Sequence, residues 1–375
     1  MKEMKNLPPH SPFPIPHSPF PIPHSPFPIP HSPFSHSPFP ISLFTILIIT
    51  VSVTISSCAS WGAATAEEYY SIGMAYYDMG RYADAEKWLN RAKAKDRTMS
   101  ASEYNLGRIA FATGRYEEAI KHFESILKRD PNNVLALKAA AYTRIRNGDI
   151  EKAMALYERL LALVPESADD GYNYALVLYA MEKYAEAEQV LKNHEFALLE
   201  NNDVLLLYAR TQKKQGKPEA IDNYAAWLAV NTDGKVRYEY AQVLEDNELY
   251  ARALEEYRVA YTGLSATSVD PTKPQARFAI ARVLLVADSE KTDGTTELRG
   301  AVADGFNDVD AIEGLLGDNR ISAASKGEIR LIITEVNRAA EAARAAEEAE
   351  RLAREAESGA EAETFVADDQ GELPE

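Results

Sequence analysis

Small residues recur at a fixed interval through the middle of this chain. Gly73, Gly107, Ala141, Ala175 and Ala209 lie 34 positions apart, and Ala241 follows after 32. Twelve residues behind the first four comes a second series, Ala85, Ala119, Ala153 and Ala187. Ala253 keeps that offset in the sixth copy, while Ala220 comes one place early in the fifth. Between the two series lies a break containing Gly80, Gly114, Gly148 or Gly216, often followed by Tyr82, Tyr116, Tyr184 or Tyr250. The apolar residues on either side of each break fall at helical spacing. Each period therefore predicts helix, turn, helix. One such pair buries little by itself and depends on its neighbours, so the fold must be a stack.

A 34-residue period with this layout resembles the tetratricopeptide repeat. The resemblance implies an all-α, right-handed superhelix of six clear units over 67–262. A degenerate seventh unit and capping helices over 263–334 would close it, with Ile280 to Leu284 aligning on Tyr240 to Leu244. Unit five departs from the pattern: Pro218 stands at the usual tyrosine place and the second helix starts one residue early. The run over 335–357 is nearly all Ala, Glu and Arg, a strong helix former with little to bury. Residues 358–375 read as an acidic, disordered tail.

The amino end is of another kind. His-Ser-Pro-Phe-Pro-Ile-Pro repeats at His10, His17 and His24, and 14 of the chain's 20 prolines precede Ile41. Proline at that density forbids helix and sheet interior. The segment is either a proline-rich spacer or a tandem DNA repeat translated from a start codon set too early. Ile41 to Ile55 follows, apolar and uncharged, short for a membrane span but of the length of a signal-peptide core. It ends in Ile55-Ser56-Ser57-Cys58, which resembles a bacterial lipobox. The resemblance implies that residues 1–57 are removed, that Cys58 is acylated, and that 58–66 is a lipidated linker. Ala59, where an aspartate would favour inner-membrane retention, leans towards the outer membrane.

Lys2, Glu3 and Lys5 are the only charges before Cys58. The remainder holds 38 of the 40 Lys and Arg and 56 of the 57 Asp and Glu, a net charge of −18. Phosphate backbones and anionic lipid both call for the opposite sign, which excludes nucleic acid as a partner. A single cysteine excludes an intramolecular disulfide and a four-cysteine zinc site. Past Cys58 only His122 and His194 remain, in different repeats and without partner motifs. Asp304 to Asp310 lacks the glycine and glutamate of a calcium loop. No catalytic residue, metal site or cofactor is expected.

In the family, the first helix of each unit lines a concave groove. Counting in phase puts Tyr70, Tyr104, Tyr172 and Tyr238 at one groove position, and Tyr77, Phe111 and Tyr179 at another on the same face. Tyr142 lies between. Such a ladder of rings with polar tips suits an extended peptide or an apolar ligand, although rings packed against the adjoining helix would serve structure alone. Arg108, Arg146, Arg210, Lys213 and Lys214 add basic points, suited to a carboxylate-bearing ligand. The chaperone-binding subgroup is excluded: Lys138 fits its pattern, but Tyr142 replaces the required asparagine. The expected function is a lipid-anchored periplasmic scaffold whose partners are segments of envelope proteins. The alternative is a periplasmic small-ligand binder serving a transport system.

Overall fold

The computed structural model describes residues 64–194, 201–287 and 293–368, with side chains to 355. Cys58 and the whole amino-terminal segment lie outside the described residues. The chain divides into two compact units, with the boundary between Val204 and Leu205. Among the described residues every regular element is helical.

The first unit contains four helix pairs: α1 (Ala66–Asp78) with α2 (Tyr82–Lys95), α3 (Ser100–Ala112) with α4 (Tyr116–Arg129), α5 (Val134–Asn147) with α6 (Ile150–Leu163), and α7 (Ala168–Ala180) with α8 (Tyr184–Lys192). The small-residue series sets the spacing within each pair. A Cβ on Gly73 would stand 2.8 Å from Leu89, and one on Gly107 only 2.6 Å from Phe123. Ala141 and Ala175 fill the same place with no exposed surface. Opposite them, Leu89, Phe123, Tyr157 and Leu191 are buried at the same 34-residue spacing. The core is thus one knob and one flat patch, repeated.

A shared turn stops the first helix of each of the six clear repeats. After α3, the Gly114 N–H donates to the Phe111 carbonyl at 3.0 Å and the Arg115 N–H to the Ala110 carbonyl at 2.8 Å. This is the Schellman arrangement, which needs a left-handed residue. Gly80, Gly114, Gly148 and Gly216 supply it, and so do Glu182 and Glu248, both at φ 60°. Those two glutamates mark the breaks that have no glycine.

The second unit holds α9 (Asn202–Lys214, within which the boundary falls), α10 (Ala220–Val230), α11 (Gly234–Asp246), α12 (Tyr250–Gly263), α13 (Lys273–Ala287) and α14 (Asp293–Ala303). In the fifth repeat the packing register is one residue early, since Ala220 and Tyr224 are both fully buried. The regular helix nevertheless starts only at Ala220. Pro218 and Glu219 wind as a tight turn, with the Ile221 N–H donating to the Pro218 carbonyl at 3.0 Å. The degenerate seventh pair packs with α15 (Val309–Gly314), a 3₁₀ turn at Leu315–Gly317 and the start of α16 (Ala323–Asp368). Phe278, Leu285, Leu298, Ile312, Ile329 and Ile332 form their core.

The carboxyl-terminal boundaries differ from the sequence expectation. The last capping helix, the Ala/Glu/Arg run over 335–357 and the start of the tail expected to be disordered form one helix, Ala323–Asp368. The reason is local. No proline interrupts this stretch, and Gly359 costs only about 1 kcal/mol within a run of good helix formers. Its last buried side chain is Val336, and Asn337 to Glu355 are exposed throughout. Ion pairs one turn apart, such as Arg354–Glu350 at 2.5 Å, lie along that stretch.

Candidate partner-binding surface

In the first helices of unit 1 the predicted aromatic residues, Tyr142 apart, flank the small-residue position, three residues before it or four after it. Their rings are not free. Tyr77 lies 5.5 Å from Tyr82, Phe111 5.5 Å from Tyr116, and Tyr179 5.2 Å from Tyr184. In each case the last turn of the first helix packs against the first residue of the second, across the Schellman turn. Tyr104 packs on Phe123 at 5.6 Å, and Phe111 also touches Tyr142 of the next repeat at 5.5 Å. Tyr70, Tyr77, Tyr104, Phe111, Tyr172 and Tyr179 are half-buried, and the Tyr172 hydroxyl is fully buried. Tyr142 is only 3% exposed and belongs to the core rather than the surface.

A polar chain joins the first two repeats below this ladder. Asn105 Nδ2 donates to the Tyr70 hydroxyl at 3.1 Å, and Arg108 donates to Asn105 Oδ1 at 3.0 Å. The Arg108 guanidinium covers the Tyr77 ring at 4.6 Å. Arg108 is 4% exposed, so it is not the ligand-facing cation the sequence predicted. Its long side chain tucks into the gap between α1 and α3, where the Tyr77 face and Asn105 replace water. Burial holds the Tyr70, Tyr77 and Tyr104 phenols above their ordinary range, so all three stay neutral. Lys138 pairs with buried Asp170 at 3.1 Å, linking the third repeat to the fourth. Arg146 is exposed, with its guanidinium 5.9 Å from the Tyr116 ring.

Glu103 is the residue that sequence reading passed over. It is 4% exposed, yet bound on both sides: Lys93 at 2.7 Å and His122 Nδ1 at 2.9 Å. Burial pushes its carboxyl up, but the bonds from Lys93 and His122 outweigh it and hold the group below the ordinary range. A carboxylate among buried helix positions, with a lone histidine 19 residues on, was the available signal.

In unit 2 the predicted groove residues are again engaged. Arg210 forms a two-bond pair with Glu239, at 2.8 and 2.9 Å, and Tyr224 donates to the same carboxylate at 3.0 Å. Arg210 therefore joins α9 to α11 rather than waiting for a ligand. Lys213 donates to Gln242 at 2.5 Å, and burial lowers its pKa. Lys214 is exposed. Tyr238 is half-buried and meets Tyr257 edge-on at 5.2 Å. Beyond it, α11, α13 and the α15 cap enclose a cleft of about 550 Å³. Among the described residues no group of three His, Cys, Asp or Glu side chains could hold a metal ion. No described helix is long and apolar enough to cross a membrane.

Family models described as tetratricopeptide repeat match residues 66–98 and 104–172. A model for anaphase-promoting complex, cyclosome, subunit 3 matches 146–226. This chain is a tetratricopeptide repeat protein. Its likeness extends to the bacterial lipoprotein type: it is 26% identical over 157 residues to an uncharacterized lipoprotein of Treponema pallidum, covering 42% of this chain and 80% of that one. It is also 26% identical over 190 residues to the TPR repeat-containing protein MJ1428 of Methanocaldococcus jannaschii, covering 50% of this chain but only 30% of that one. A solved tetratricopeptide repeat protein from Parabacteroides merdae is 23% identical, with a TM-score of 0.45, covering 67% of this chain and 97% of that one. A second, YrrB, a TPR protein with an unusual peptide-binding site, is 18% identical with a TM-score of 0.44, covering 51% of this chain and 96% of that one.

Proposed function

We propose that this protein is a lipid-anchored scaffold facing the periplasm, which holds segments of other envelope proteins against the first helices of its repeats. One observation carries the reading. Tyr70, Tyr104 and Tyr172, with Tyr77, Phe111 and Tyr179, recur in register along the first helices and are half-buried, and Tyr77, Tyr104, Phe111 and Tyr179 are braced by a ring of the second helix. Rings fixed in this way lose little entropy when a partner lands on them, and they offer it apolar surface. Arg108 and Arg210 are committed within the protein, so the support for a carboxylate-bearing ligand is reduced to the exposed Arg146 and Lys214. The lipobox-like Cys58 and the likeness to a lipoprotein support the anchor, and Ala59 leans it towards the outer membrane.

Photo-crosslinkers at Tyr104 and Tyr179 in living cells, with adducts read by mass spectrometry, test the scaffold. A recurrent envelope protein at both positions is the expected result. No protein adduct, with a small molecule retained through purification, would replace the scaffold with the small-ligand reading. Detergent phase partition tests the anchor separately: wild type goes to the detergent phase and Cys58→Ala to the aqueous phase. Equal partition of the two would remove the anchor from the proposal.

A further inference from the structure

The cleft of unit 2 is lined by six charged side chains, and their accounts do not balance. Arg282 spends both of its bonds on Glu245, each at 2.7 Å, and the Tyr257 hydroxyl donates to the same carboxylate at 2.7 Å. Arg320 grips Asp318 at 2.6 and 3.0 Å and donates to the Tyr250 hydroxyl at 2.5 Å. Both arginines are thus neutralised from within, and Arg320 holds the Asp318 carboxyl down to about 2. Asp246 and Glu248 are left. Both are exposed carboxylates at the cleft, and neither has a hydrogen bond or ion pair among the described residues. Beside them Phe278, Val286 and Leu315 give the cleft an apolar wall.

We propose that this cleft receives an arginine- or lysine-bearing segment of a partner protein, with the cation seated at Asp246 and Glu248 and its aliphatic stem along the Phe278–Val286–Leu315 wall. The inference rests on the scaffold reading and names the partner's chemistry at one place. The geometry suits a long side chain with an apolar stem and a charged head. The volume lies in the range of ligand-binding clefts, about 300–1,000 Å³. The sign of the uncompensated charge excludes an acidic segment or a phosphate.

The local electrostatics agree. Burial, then the neighbouring Glu245, raise the Asp246 pKa, while Lys213 and Arg282 oppose this without cancelling it. An incoming cation would relieve that strain. Glu248 also sits in the left-handed conformation that Gly80, Gly114, Gly148 and Gly216 occupy in other repeats. Glu182 shares the conformation in unit 1, so the backbone is not the argument. What sets Glu248 apart is its place in the cleft.

Fluorescence anisotropy with the full chain in detergent tests the proposal. The probes are fluorescein-labelled Gly-Ser peptides carrying Arg-Leu-Arg, Gln-Leu-Gln or Glu-Leu-Glu at the centre. The Arg peptide should bind at least about tenfold more tightly than the Gln peptide, equivalent to about 1.4 kcal/mol. The Glu peptide should bind least, and added salt should erode the difference. Asp246→Asn with Glu248→Gln should reduce the Arg peptide to the level of the Gln peptide. Glu248→Gly, which relieves the backbone and leaves the fold at least as stable, should weaken it alone. An Arg peptide that binds no better than the Gln peptide, or not at all, overturns the proposal; so does unchanged binding in the double variant. Crosslinking at Tyr104 and Tyr179 in unit 1 separates the two failures. Adducts there without an Arg preference sink the cleft alone, whereas their loss sinks the scaffold itself.

Discussion

Replacing Gly114 with alanine isolates the backbone energetics of the turn on which every repeat depends. Gly114 sits at φ +75°, and a Cβ built on it meets nothing within 4 Å. No clash contributes, so only conformational terms remain. An L-residue in the left-handed region costs about 1–2 kcal/mol. Removing glycine's freedom from the unfolded chain returns about 0.4–1 kcal/mol. The net expectation is a loss of about 1 kcal/mol. The reverse change, Glu182→Gly, should gain about 0.5–1 kcal/mol by the same reasoning, since Glu182 already bears the strain at φ 60°. In an array of this size, 1 kcal/mol moves the melting temperature by about 2–4 °C. Because repeats can open locally, hydrogen exchange at the Arg115 amide, bonded to the Ala110 carbonyl at 2.8 Å, is the sharper assay beside a urea melt followed by circular dichroism. Exchange there should quicken about fivefold in Gly114→Ala. Equal or greater stability of Gly114→Ala, together with a weaker Glu182→Gly, would refute the reasoning.

Other perturbations test the packing and the buried charges. Gly107→Val should destabilise unit 1 by about 1–3 kcal/mol, because its Cβ would lie 2.6 Å from the fully buried Phe123 ring; a denaturant melt measures it. Glu103 has a depressed folded pKa, so its contribution is complete at neutral pH. It should be lost as the pH falls from the ordinary glutamate value of about 4.3 through the lower folded one, and Glu103→Gln should flatten that part of the acid-unfolding curve. A double-mutant cycle on Arg210 and Glu239, each less than a third exposed, should give a coupling of about 1–3 kcal/mol. A coupling near zero would mean the pair does not hold α9 to α11.

What was legible of the candidate surface was the position of each ring within its repeat. Counting in phase put Tyr104 and Tyr179 beside the small-residue positions of their helices because helical spacing fixes direction, and both residues are half-buried against the second helix of their repeat. The same counting failed for Arg108, Tyr142 and Arg210. Register says which way a side chain leaves its helix but not what lies in the next repeat. Asn105 and Tyr77 absorb Arg108, Phe111 covers Tyr142, and Glu239 takes Arg210; all are partners 3 to 31 residues away. The carboxyl-terminal boundaries failed for a different reason. A loss of apolar periodicity after Val336 ends burial without ending a helix, and composition cannot tell the two apart.

The sequence by itself determined the repeat. A small residue every 34 positions, a bulky one 16 later and a left-handed turn between them admit one local structure, and each is a short-range demand of sterics or backbone conformation. It determined the acidic character of the body as well, since charge is additive. Only the tertiary structure decided which charges are spent and which remain. Arg282 and Arg320 are consumed by Glu245 and Asp318, while the Asp246 and Glu248 carboxylates stand in a cleft without an ion pair among the described residues. An ion pair forms across a few ångströms of space, and the distance along the chain says nothing of it.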